Sequence, residues 1–391
     1  MIIRTVFSCL FRRPTGRPSH GELIIHRKRK VLAAVGCVAA LTAGTAACDG
    51  GDASLSPDAK VKQAFDKLSR QKSLSAEIGF DTSADKIFTA MKDQKDFKRE
   101  HADMLADLRL SYSVSFDKPL KDVEADDENG EGSFALGMKD GKPLVEVRAI
   151  GASKVYLRGD LKGIGDLAAK VDKKAPAKSS SRPDFDELAK KADTLPSSMD
   201  SVKGALKGEW VGMDTKSFEA FSKASGKSED KPKLDPKDQK QLFDALQKSL
   251  DGNATFKDAG KKNGADHVKV TVPAKKFADD LNKSLKPLQD KLGSKGKGDK
   301  VDGDLDKLKN KDVTLDVGVR DGMVSTLTVD IAQLDDEVKG ELPLTLGIKG
   351  GAGKIQAPAG AKELKPQDLI GAAMLLFSDK MGGGKDSGMG I

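Results

Sequence analysis

Residues 108–116 read Leu-Arg-Leu-Ser-Tyr-Ser-Val-Ser-Phe, with apolar side chains at every even position and polar ones between. Successive side chains of a strand point to opposite faces, so this pattern specifies a β-strand that is dry on one face and wet on the other. The same period recurs at Leu74, Ala76, Ile78 and Phe80. Weaker alternation predicts strands at 132–139, 143–150, 153–159, 207–213, 253–258, 265–272, 312–319, 322–331 and 341–349. Asp140-Gly141, Asn263-Gly264 and Asp321-Gly322 separate neighbouring runs and are turn signals that tolerate positive φ. Around Asp321-Gly322 the pattern places Val313, Leu315, Val317 and Val319 on one face, and Thr314, Asp316 and Gly318 on the other.

Helical spacing interrupts the strands. Val61, Ala64, Phe65 and Leu68 follow Pro57-Asp58 and predict an opening amphipathic helix. Further helices are expected over 84–106, near 240–250 (Phe243, Leu246), near 274–292 (Phe277, Leu281) and near 366–378. Runs of strands with occasional helices, and no regular βαβ alternation, predict an α+β fold with one large antiparallel sheet and helices on one face. Residues 172–182, 224–239 and 293–311 have almost no apolar side chains and read as polar insertions within a domain over 58–379. Residues 380–391 read as a frayed tail.

The beginning of the chain carries a different signal. Four cations, Arg27 to Lys30, precede seventeen uncharged residues, Val31 to Ala47, and then Cys48. That is the layout of an export signal, and the apolar run is short of the roughly 20 residues a spanning helix needs. Small residues ending at a cysteine resemble a bacterial lipobox, although Thr45 stands where an aliphatic residue is usual. The resemblance implies that residues 1–47 are a leader, that Cys48 carries a diacylglycerol thioether, and that 48–57 tether the domain to the membrane. Plain secretion after cleavage behind Ala47 and an uncleaved anchor are the alternatives.

Removing the leader changes the electrostatics. Eight of the 67 cations and one of the 60 anions lie in residues 1–47, which leaves 59 of each. The formal charge of +7 therefore belongs to the leader, and the case for a nucleic-acid partner loses its electrostatic footing. Cys9 and Cys37 also lie there, so Cys48 is the one cysteine of the remaining chain and no disulfide is available.

Catalytic constellations are weak. With Cys48 assigned to lipidation, no cysteine nucleophile remains. His101 lies in the polar run Lys98–Asp103 and reads as a solvated helix residue, while His267 sits on the polar side of an alternating strand. No Gly-x-Ser-x-Gly elbow and no HExxH spacing occur. Asp302, Asp304 and Asp306 lack the glycine and glutamate positions of a calcium loop. Asp126, Asp127, Glu128 and Glu131 read as a solvated hairpin end. Trp210, the one tryptophan, lies on a predicted strand and reads as packing rather than as a binding platform. No enzyme, cofactor or metal is expected.

Taken in order, the cysteine, the tether, the helix VKQAFDKLS, the strand Lys154–Leu157, the segment Glu209–Asp214 and the late hairpin VTLDVGVRDGMVSTLTVDI resemble the actinobacterial LppX/LprAFG group of LolA-like lipoproteins. The resemblance spans roughly 58–365. It implies a curved antiparallel half-barrel with helices on its concave face, and an apolar cavity that carries or presents a lipid or lipoglycan outside the cell membrane. Phe243, Leu246, Phe277 and Leu281 then line either that cavity or an ordinary core. A lipidated interaction module with no cavity, a sensor or accessory subunit of an envelope complex, is the second reading. An envelope hydrolase is a distant third.

Lipidation has a direct test. Cys48→Ala is expected to move the protein out of the membrane fraction, and retention there would identify the apolar segment as an anchor.

Overall fold

The structure is a computed structural model that describes residues 55–124, 127, 129–171, 185–224, 253–276, 279 and 311–381. Its centre is one twelve-stranded sheet in the order β12-β6-β5-β4-β3-β2-β1-β11-β10-β9-β8-β7, not closed into a barrel. The strands are β1 (Ser73–Phe80), β2 (Leu108–Ser115), β3 (Glu131–Met138), β4 (Pro143–Ile150), β5 (Lys154–Gly159), β6 (Val211–Asp214), β7 (Thr255–Lys262), β8 (Ala265–Pro273), β9 (Asp312–Arg320), β10 (Met323–Asp330), β11 (Pro343–Gly350) and β12 (Lys362–Glu363). All their pairings are antiparallel except β12 with β6. The expected α+β architecture with a large, mostly antiparallel sheet is present.

The turn chemistry works as the sequence suggests. Asn263 and Gly264 have φ of 50° and 76°, and Asp321 and Gly322 have 52° and 69°. Positive φ at both central residues matches the twist of a two-residue hairpin to that of its strands. The β9–β10 register pairs Leu315 with Val329 and Val317 with Leu327, which keeps both apolar sets on one face. Lys67, in the last turn of the opening helix, donates to the Asp321 carbonyl at 2.7 Å and ties that helix to the turn.

The described helices are α1 (Pro57–Ser69), α2 (Ala84–Met91), α3 (Arg99–Asp107), α4 (Leu161–Val171), α5 (Phe185–Thr194), α6 (Asp200–Leu206), α7 (Thr215–Ala224) and α8 (Pro366–Met381). The single helix expected over 84–106 is two. Ser83 caps α2 by accepting the Lys86 N–H, and the chain turns through Asp96 at φ 65° before α3 begins. The strand expected over 207–213 is only β6, because Lys207, Gly208 and Glu209 close the end of α6, donating their N–H groups to the Lys203, Ala205 and Gly204 carbonyls. In α6, Ser201, Val202 and Gly204 are buried, so tertiary packing overrides a weak local pattern.

Three apolar clusters hold the layers together. In the first, Val61, Ala64, Phe65 and Leu68 of α1 meet Leu74, Val114, Val268, Val317 and Ile348 of the sheet. In the second, Ile87, Met91 and Leu105 meet Phe80, Ile331 and Leu342. In the third, Val202 and Ala372 meet Leu195, Val211 and Leu364.

After β11 the chain crosses the strand ends to reach β12. On the way the Gly353 N–H donates to Ser73 Oγ and the Ile355 N–H to Ser115 Oγ, both at 3.1 Å. Ser115 Oγ in turn donates to Glu131 Oε2 at 2.7 Å. Glu131 is therefore a buried strand residue, 8% exposed, and not part of a solvated hairpin end. The sequence gives no sign of the distant partner that makes this burial tolerable.

Phe65 is 3% exposed at the centre of the first cluster. Phe65→Ala is expected to lower unfolding free energy by about 3–5 kcal/mol, read as an earlier urea midpoint with an unchanged slope.

Candidate functional site

Alternation and register put a continuous apolar surface on one face of the sheet. Across β2, β3 and β4, Leu110 lies opposite Leu136, and Leu136 opposite Val145. One step along, Tyr112 lies opposite Phe134, and Phe134 opposite Val147. Each of these six residues is only half-buried. Leu110, Phe134, Leu136, Val145 and Val147 belong to none of the three clusters. The first cluster covers the β2–β8 side of the apolar face and the third its β6–β12 end, and a patch of large apolar side chains over β2 to β4 lies between them. Such a surface offers dispersion contact and water exclusion, and no group for bond chemistry.

Tyr112 stands at the border of this patch, against the first cluster. Its hydroxyl is buried and has no hydrogen-bond partner among the described residues. Burial pushes the phenol well above its ordinary range, because nothing nearby stabilises the phenolate. A buried hydroxyl without a partner costs about 1–3 kcal/mol of desolvation.

The opposite face is polar and largely self-satisfied. Glu146, buried on β4, accepts from Arg148 Nε and Nη2 at 3.0 and 2.8 Å through one oxygen. It accepts from Arg158 Nε and Nη2 at 3.0 and 2.7 Å through the other. Both guanidinium carbons lie 4.9 Å from the Trp210 ring centroid. Trp210 precedes β6 rather than lying in it, and contacts between cations and its ring bind the β4 and β5 arginines to the start of that strand. With both carboxylate oxygens occupied, the group is a structural lock.

The histidines divide. His267 faces the polar side, as expected, with Nδ1 2.6 Å from Asp316 Oδ1. His101 corrects the expectation of a solvated residue. It is 6% exposed, its Nδ1 accepts the Lys98 N–H at 3.0 Å, and its ring lies 5.6 Å from that of Phe97. Among the described residues no three His, Cys, Asp or Glu side chains are grouped to hold a metal, and no helix is long and apolar enough to cross a membrane.

Cys48 and the four residues expected to line a cavity, Phe243, Leu246, Phe277 and Leu281, lie outside the described residues, as do Asp302, Asp304 and Asp306. The half-buried patch was not singled out from sequence. Its signal was there in the alternation of β2 to β4, but alternation marks a dry face without saying whether anything of the chain covers it. No protein-family model matches the chain, and no curated protein matches it in sequence.

Tyr112→Phe removes the orphaned hydroxyl and keeps the ring. The variant is expected to unfold about 1–2 kcal/mol later than the parent in urea, since a buried polar group without a partner is lost.

Proposed function

We propose that this chain is a membrane-anchored extracytoplasmic lipoprotein, attached through Cys48, that binds and carries or presents a lipid or similar hydrophobic molecule. On this reading it is not an enzyme, and the sheet curves as a half-barrel with helices over the concave side. The observation that carries it is the patch of Leu110, Phe134, Leu136, Val145 and Val147, half-buried on an apolar sheet face between the first and third clusters. An acyl chain needs a dry surface and no charged constellation, and each buried methylene contributes about 0.8 kcal/mol. The balanced charge of residues 48–391, 59 cations against 59 anions, fits a neutral hydrophobic cargo better than an anionic polymer. The resemblance to LolA-like lipoproteins points the same way.

A second reading, a lipidated protein-interaction module, draws on α8. That helix exposes Ile370 and Met374, four residues apart, at 42% and 67%. Side chains at that spacing share one helix face.

Extraction and mass spectrometry of the natively purified full chain separates the two. A carrier brings lipid with it, and Leu136→Asp is expected to reduce that lipid by about tenfold, the loss of roughly two methylenes of contact, with an unchanged circular dichroism spectrum. Parent protein that is folded and free of lipid overturns the carrier reading and leaves the interaction module.

A further inference from the structure

A hollow of about 490 Å³ opens on the polar face, on the side of the sheet away from the apolar patch, where β1, β2, β3 and β11 lie side by side. Three of its lining residues are strand glycines, Gly79, Gly137 and Gly347, so bare backbone replaces side chains over part of the surface. Their spacing is not incidental. A Cβ on Gly79 would meet the Cδ and Nη1 of Arg109 at 2.8 Å, so the arginine stem lies in the room that the missing side chain leaves.

Arg109 is the best-placed functional group of the hollow. Its side chain is only 16% exposed. Nη1 donates to the Ala106 and Leu108 carbonyls at 2.8 and 2.9 Å, which fixes the guanidinium plane. Nε stands 3.8 Å from Glu77 Oε1, and Nη2 has no partner among the described residues. A held guanidinium with a free edge thus faces the same space as the Glu77 carboxylate and the Ser111 hydroxyl.

The charges decide which ligand fits. Arg109 and Lys139 stand among Glu77, Asp81 and Asp140 around one small volume, two cations to three anions. An anion reaching Arg109 meets three carboxylates, and a cation reaching the carboxylates meets Arg109. A neutral ligand with neighbouring hydroxyls avoids both penalties, because each hydroxyl accepts from the guanidinium or donates to a carboxylate. The volume falls within the roughly 300–1,000 Å³ of small-molecule sites. We propose that this hollow binds a neutral saccharide.

The test uses the full-length protein in a detergent without a sugar headgroup. Calorimetric titration with a panel of neutral mono- and disaccharides, and with inorganic phosphate as the anionic control, is expected to give saturable binding for at least one neutral sugar and none for phosphate. Gly347→Val projects a branched side chain into the hollow, and its Cβ meets only the Glu77 carbonyl at 3.8 Å, ordinary contact in a strand that favours β-branched residues. It is expected to weaken that binding at least tenfold with an unchanged circular dichroism spectrum. Arg109→Lys keeps the charge and removes the planar fork, with the same expected loss. Absence of saturable binding across the panel, binding that survives both substitutions, or phosphate binding tighter than any neutral sugar overturns the proposal.

Discussion

The architecture rests on keeping the apolar side chains of neighbouring strands on one face of one sheet, with register shifts at only three pairings, beside Val324, Leu136 and Asp258. A slip of one residue in any pairing would turn that strand's apolar side chains to the wet face. The tight turns guard against this, because Asn263-Gly264 and Asp321-Gly322 leave no slack between their strands. Cross-strand pairs such as Leu74 with Val114 and Ile78 with Leu346 then carry the phase from one hairpin to the next. The resulting dry face is wide. Twelve strands at about 4.8 Å spacing span roughly 50 Å, and a helix with its side chains covers only about 10–12 Å. The three clusters of described residues do not cover the whole face, and the half-buried patch over β2 to β4 lies between two of them.

The polar face and the two edges solve other problems. An open sheet exposes unpaired backbone at each end, a template for unwanted pairing. At one end β12 has only two residues. At the other, β7 carries Lys257, Asp258, Lys261 and Lys262 and a bulge between Asp258 and Gly260. Across the polar face, burial of Glu146 and Glu131 is tolerated because each is hydrogen-bonded: Glu146 by two arginine forks, and Glu131 by Ser115 with Lys354 3.3 Å away. These contacts hold the β4–β6 end and the crossing segment to β12 without a disulfide. The two faces therefore offer different chemistry: dispersion contact on one, and a hollow of opposed charges on the other.

Much of this was legible in advance. Strict alternation gave β1, β2, β9 and β10 nearly to the residue, and the helical spacing of Val61, Ala64, Phe65 and Leu68 gave α1 with its buried face. His267 was assigned to the polar side for the same reason. Where the local pattern was weak the reading failed. The strand expected over 207–213 starts only at Val211, and 84–106 divided into two helices. His101 and Glu131 were misplaced as solvated, since a polar residue in a polar run gives no sign of the partner that buries it.

By itself the sequence determined the class of fold, the phase of each strong strand and the tight turns. These are local properties, set by side-chain period and backbone sterics. Only the tertiary structure decided strand order, and with it which apolar residues became core and which stayed half-covered. It also decided that Arg148 and Arg158 share Glu146 and that Gly79, Gly137 and Gly347 border one hollow. Those outcomes depend on pairings between residues tens to hundreds of positions apart, as when Leu74 meets Gly350 across adjacent strands. Alternation states that a strand has a dry face, but area and coverage belong to the assembled sheet.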